Sequence, residues 1–325
     1  MRQLFSRVFD LTIGAATALL LISSASSSTD VALAKTPSTI PVESAYSARI
    51  VDAPPLPPEL VDPKAAYLAD LVAQGRHWRI DTDNGPVHVW VPHGFDAATA
   101  QTVVYVHGYW QDADAVWIEH RLPEQFALSG ANAMFVVPEA PRGKWDRVLW
   151  PTTQALLAEV TRSIGEPLPK GRVAVVGHSG AYRTVIQWLA DPEVDTVVLL
   201  DAAYVDVLPY RDWVRGAKTR RFINVSIDTI RWSNWLHRWL PSTLTIEPFP
   251  RELTDKIKNA RILYVKSDIG HWPLVTEGVA LPQMLRLLGA PTALTGDEPP
   301  LGLPSLELRE PEIGNRAGEV AEQGG

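Results

Sequence analysis

Short apolar runs rich in β-branched residues recur along the chain, separated by polar or helix-length stretches. They are Trp78–Asp81, Val87–Val91, Thr102–Val106, Ala133–Val137, Arg172–Val176, Thr196–Leu200, Phe222–Ile227 and Ile262–Val265. The first two lie close together around Asp83-Asn84-Gly85, a turn signal that predicts a hairpin. From the third onward the spacing leaves room for a crossover helix between strands. Runs such as Val103-Val104-Tyr105-Val106 are apolar on both faces, as parallel strands covered by helices must be. Helices are predicted over roughly 115–129, 151–164, 181–190, 229–240 and 281–289. The pattern predicts an α/β domain over 64–290 with an open, mostly parallel sheet of eight strands.

The flanks read differently. Arg2 and Arg7 precede Leu11–Ile22, twelve residues without a charge. That run is shorter than the roughly 20 residues a membrane span needs, and it fits a signal-peptide core. Ala32-Leu33-Ala34 before Lys35 reads as a cleavage site, with Ser24-Ala25-Ser26 as an alternative. Residues 1–34 are therefore expected to direct export, to a periplasmic or secreted location, with no stable membrane anchor after cleavage. Residues 35–63 carry seven prolines and are expected to form an extended arm, because proline fixes φ and removes backbone donors. Residues 291–325 lack an apolar period and are expected to be a disordered acidic tail.

Charge changes the picture only in its placement. The 325 residues carry a formal charge of −7. The stretch 291–325 holds two basic and seven acidic groups, and the middle of the chain is nearly neutral. This argues against a nucleic-acid partner, which calls for a basic patch. It also favours an uncharged or apolar substrate over an electrostatically steered one. With no cysteine, disulfides, thiolate nucleophiles and cysteine-ligated metals are excluded.

In open α/β sheets ligands bind beyond the carboxyl ends of the strands. After the fifth run comes Gly177-His178-Ser179-Gly180-Ala181, leading straight into a predicted helix. Strand, Gly-x-Ser-x-small, helix describes a nucleophile elbow, in which small neighbours allow the turn that projects a serine above the sheet. Ala181 stands where that pattern has glycine. The bland alternative for Ser179 is a helix N-cap. The third run ends in His107-Gly108-Tyr109-Trp110, a loop placed to offer the Tyr109 N–H beside the Gly180 N–H to a developing oxyanion. His107 reads as a residue that holds this loop.

A serine of ordinary acidity needs a base, and the base an orienting acid. His271, after the last strand, is the expected base. Asp228 and Asp201 end the seventh and sixth runs, and both keep the order Ser, Asp, His. Asp228 is preferred because the seventh strand should lie closer to the one bearing His271; its bland reading is an N-cap. His237 is expected to be solvated. Trp232, Trp235, Leu236, Trp239 and Leu240 fall on one helical face, expected to pack on the sheet rather than line a pocket. Trp110, Trp145 and Trp272 lie in strand-end loops and are the candidate substrate contacts.

Val-Val-Tyr-Val-His-Gly, Val-Val-Pro-Glu-Ala-Pro-Arg-Gly, Val-Val-Gly-His-Ser-Gly-Ala and Ser-Asp-Ile-Gly-His-Trp together resemble the α/β-hydrolase superfamily over roughly residues 77–289. The resemblance implies an eight-stranded sheet, Ser179 as nucleophile, His271 as base, an oxyanion hole near Tyr109 and Gly180, and neither cofactor nor metal. It also places the acid after the seventh strand in most members, and after the sixth in a minority. The roughly twenty residues Ala202–Arg221 are too few for a cap domain, so an open site suited to a small-molecule or polymeric ester is expected. The alternatives are an amidase or peptidase with the same residues, or a non-catalytic binder of cell-wall polymer.

Overall fold

The computed structural model describes residues 62–288 together with Gly302 and Leu303. The expectations for residues 1–34, and for nearly all of 35–63 and 291–325, lie outside the described residues. Gly302 and Leu303 donate their amides to the carbonyls of Gly278 and Glu277.

The described residues open on α1 (Pro63–Gln74), a helix outside those predicted from the sequence, capped by the Asp62 carboxylate on the Lys64 amide. A hairpin follows, β1 (Arg76–Ile80) and β2 (Val87–Val91), as the turn signal predicts. Next come β3 (Gln101–Val106), α2 (Ala113–Glu119), α3 (Leu122–Ser129) and β4 (Ala133–Pro138). The helix expected over 115–129 is thus two, broken where Arg121 takes a left-handed φ of 49° just before Pro123. α4 (Thr153–Ile164), β5 (Val173–His178), α5 (Tyr182–Trp188), β6 (Val194–Leu200), α6 (Leu208–Gly216), β7 (Arg221–Ser226) and α7 (Ile230–Arg238) continue the alternation. β8 (Leu244–Ile246), α8 (Asp255–Lys258), β9 (Ile262–Lys266), α9 (Pro273–Thr276) and α10 (Ala280–Leu285) follow.

The strands form one sheet in the order β1-β2-β4-β3-β5-β6-β7-β9-β8, antiparallel at β1–β2 and β2–β4 and parallel elsewhere. The sheet has nine strands rather than the expected eight. The addition is β8, three residues pairing with the outer edge of β9.

Alternation along each strand divides the core into two layers. Val104, Val106, Val175, Val197 and Leu199 face α4 to α7, where Leu156, Trp188, Tyr210 and Leu236 pack. Val103, Tyr105, Val176, Val198 and Leu200 face the other layer, where Leu68 of α1, Phe126 of α3 and Met284 of α10 pack. With both faces covered, the carboxyl ends of the parallel strands are the open edge where loops can gather. Among the described residues, no helix is long and apolar enough to cross a membrane.

Candidate active site

The end of β5 turns sharply into a single 3-10 turn, Ser179–Ala181, and then α5. Ser179 sits in the left-handed region at φ 53°, a conformation that costs a non-glycine residue free energy and persists only where its surroundings enforce it. The neighbours explain why small residues are needed. A Cβ on Gly177 would lie 2.8 Å from Val185 Cγ2 and 3.2 Å from the Ala181 methyl, so the alanine in the fifth place fits because position 177 is bare. A Cβ on Gly108 would lie 2.8 Å from Ser179 Cβ. One on Gly180 would lie 2.5 Å from the Tyr109 ring.

The loop after β3 therefore rests directly on the serine turn, with the Tyr109 ring against Gly180. That loop is fixed from below. Buried His107 donates through Nδ1 to the Gly108 carbonyl (2.7 Å) and accepts the Ala140 amide at Nε2 (3.1 Å). Burial lowers its pKa, which keeps the ring neutral and able to do both. Buried Glu139 accepts from the Ala113 amide (2.9 Å) and from Arg142 Nε (2.7 Å), and the Trp110 amide donates to the Arg142 carbonyl (2.7 Å). The loops after β3 and β4 thus behave as one unit.

His271, in the loop after β9, is brought to the same edge, its ring 4.6 Å from that of His178. The preference between the two aspartates is reversed. His271 Nδ1 lies 2.6 Å from Asp201 Oδ2 but 3.9 Å from Asp228 Oδ2. The cause is local. Asp201 takes φ 49° at the end of β6 and donates its amide to the Val225 carbonyl, so its side chain swings across the end of β7. There the turn after β7 supplies donors: the Ile227 amide (3.0 Å), the Thr229 amide (2.9 Å) and hydroxyl (2.7 Å), and the Asp228 amide (3.2 Å). Burial alone would raise the Asp201 pKa, but hydrogen bonds from His271, Thr229 and Ile227 outweigh it and hold it down to about 2. Asp228 contributes its amide, while its side chain is 67 % exposed. The helix cap expected of Asp228 falls instead at Thr229. Asp201, Asp228 and His271 offer ligand atoms within 4.8 Å of one another, yet the Asp201 oxygens are already saturated by protein donors, so the set does not fit a metal ion.

Sequence reasoning missed Tyr204, in the loop after β6. Burial, then the Asp201 charge, pushes its pKa up to about 12. Its ring stands between those of Tyr182 (5.8 Å) and Trp232 (5.6 Å). No local pattern marks it, because its position depends on how the β6 loop folds back. The three tryptophans singled out as substrate contacts lie on this edge and are exposed: Trp110 by 85 %, Trp145 by 88 % and Trp272 by 46 %. On α7, Leu236 and the following Leu240 are buried and Trp232 is half-buried, but Trp235 and Trp239 face solvent. His237 is not solvated: it stacks on Tyr264 (4.3 Å) and contacts Asn224 and Thr243.

No family model matches the chain, and no curated protein matches it. Similar solved structures include a feruloyl esterase module from Clostridium thermocellum, at 12 % identity over 66 % of this chain and 86 % of that chain, TM-score 0.44. A fluorophosphonate-binding serine hydrolase from Staphylococcus aureus is 11 % identical over 66 % of this chain and 98 % of that chain, TM-score 0.44. An S-formylglutathione hydrolase from the same organism is 13 % identical over 65 % and 94 %, TM-score 0.39. The strand order, the strained serine turn after β5 and the chain order Ser179, Asp201, His271 identify the architecture as an α/β-hydrolase fold.

Proposed function

We propose that the protein is a serine hydrolase that cleaves a carboxylic ester through an acyl-enzyme. The observation that carries the reading is the 2.6 Å contact of His271 Nδ1 with buried Asp201, at the strand edge that also bears Ser179. A carboxylate accepting from Nδ1 fixes the tautomer whose Nε2 is an unprotonated base. Ser179 Oγ attacks the ester carbonyl while His271 Nε2 takes its proton. The Tyr109 and Gly180 amides face the oxygen that becomes negative. As the tetrahedral species collapses, the bond from the acyl carbon to the alkoxy oxygen breaks, and His271 returns the proton to the departing alcohol. Water, activated by the same imidazole, then releases the acid and restores Ser179. Trp110, Trp145 and Trp272 are the proposed contacts for an uncharged substrate.

The test is initial-rate hydrolysis of an aryl ester and the matching aryl amide by wild type and Ser179→Ala. The reading expects serine-dependent ester turnover, faster than amide turnover. Preference for the amide would favour the amidase alternative, and no turnover of either would favour a binding protein.

A further inference from the structure

Two fully buried histidines lie beneath the proposed base and take no part in the chemistry above. His178, immediately before Ser179, presents Nε2 to the main-chain carbonyl of His271 at 3.2 Å. A carbonyl only accepts, so Nε2 carries the hydrogen and Nδ1 does not. Nδ1 is buried without a protein partner. His120, capping the end of α2, holds the Tyr105 hydroxyl at Nδ1 (3.0 Å), and its Nε2 is likewise buried and unpartnered. The His120 ring stands edge-on to both His178 (6.0 Å, 84°) and Trp272 (6.2 Å, 65°). His178 in turn packs against the rings of His271 and Trp272. The dipeptide His271-Trp272 therefore rests on two imidazoles, one from the serine turn and one from α2.

We propose that His178 is a positioning residue for the catalytic base. Its Nε2–H tethers the His271 carbonyl, and His120 braces that contact. The turn carrying Ser179 and the loop carrying His271 thus keep one spacing through the reaction cycle. The inference rests on the serine-hydrolase reading. The titratable groups facing His178 are His271, His120 and Asp201. Burial, with the charge of His271 and then His120, pushes the His178 imidazole well below its usual range. A neutral ring at this place also spares the imidazolium that forms on His271 a like-charged neighbour.

The experiment pairs two variants with a spectroscopic readout on the intact wild type. His178→Gln keeps a side-chain N–H near the position of Nε2, whereas His178→Leu removes it. Tethering predicts that His178→Leu loses about 10- to 100-fold in kcat with KM within about twofold, the signature of a misplaced catalytic group. His178→Gln should recover most of that loss. Wild-type protein labelled with 15N-histidine should show His178 as the Nε2–H tautomer, unchanged between about pH 5.5 and 8.5. Equal kcat for His178→Leu and wild type overturns the proposal, as does a glutamine variant no better than the leucine one. If His178→Leu does not fold, the tautomer decides: a protonated Nδ1, or titration within that range, refutes the tether. Wild type inert to a fluorophosphonate probe yet showing the expected tautomer would instead count against the hydrolase reading, so the two failures are distinguishable.

Discussion

An Asp201→Asn variant exchanges one buried carboxylate oxygen for an amide nitrogen and leaves side-chain volume almost unchanged. The surroundings dictate which oxygen is replaced. Oδ1 accepts three donors, the amides of Ile227 and Thr229 and the Thr229 hydroxyl, so the amide oxygen must stay there. The NH2 group then occupies the Oδ2 place, 2.6 Å from His271 Nδ1. Two donors cannot face each other, so the imidazole moves its hydrogen to Nε2 and can no longer accept a proton from Ser179. A wrong-tautomer base in a serine hydrolase costs about 10⁴ in kcat, which is about 5 kcal/mol of transition-state stabilisation. Asp228→Asn changes a side chain that is mostly exposed and 3.9 Å away, and should alter kcat by no more than about threefold. The assay is steady-state aryl-ester hydrolysis for both variants, with thermal melts to confirm folding. Comparable losses in the two variants, or an Asp201→Asn enzyme within about tenfold of wild type, would refute the assignment of Asp201.

Three further outcomes are expected. Gly108→Ala places a methyl group 2.8 Å from Ser179 Cβ and 3.3 Å from the His178 carbonyl, and the serine turn must shift; kcat should fall about 100-fold with the melting temperature little changed, and wild-type kcat would contradict the close approach. Burial lowers the pKa of His120 to about 4 and that of His237 to about 3. Between pH 6.5 and those values the unfolded chain binds protons the folded one refuses, so stability falls as pH falls, by up to about 1.4 kcal/mol per pH unit for each ring; denaturant midpoints at pH 7.5 and 4.5 test this, and equal midpoints would contradict it. If residues 1–34 direct export, N-terminal sequencing of protein recovered outside the cytoplasm should begin at Lys35 or near Ala25, and an intact Met1 would count against cleavage.

The strands that run through the middle of the sheet were legible because burial on both faces leaves an apolar signature no loop imitates. β8 was not: Leu244-Thr245-Ile246 is too short to show a period, and it exists only because the edge of β9 accepts it. α1 and α6 carry local signals in the sequence. Asp62 before Pro63 is a cap followed by a proline in the first turn, and Tyr210, Trp213 and Val214 are spaced as a helical face. The serine turn could be read because its chemistry demands small residues in sequence. The carboxylate that contacts His271 could not, since strand adjacency favoured Asp228, whereas the contact depends on the backbone angle at Asp201 and on donors contributed by residues 227–229. The surroundings of His178, His120 and Tyr204 were invisible for the same reason: each contacts partners distant in sequence.

The central claim is that Ser179 is an activated nucleophile, and reaction with a fluorophosphonate probe measures that without knowledge of the substrate. Intact-mass and peptide analysis should find one probe per folded wild-type chain, on the peptide containing Ser179, and none on Ser179→Ala. Labelling should slow sharply in Asp201→Asn. Folded wild-type protein that stays unmodified, or that is modified at another residue, would contradict the account.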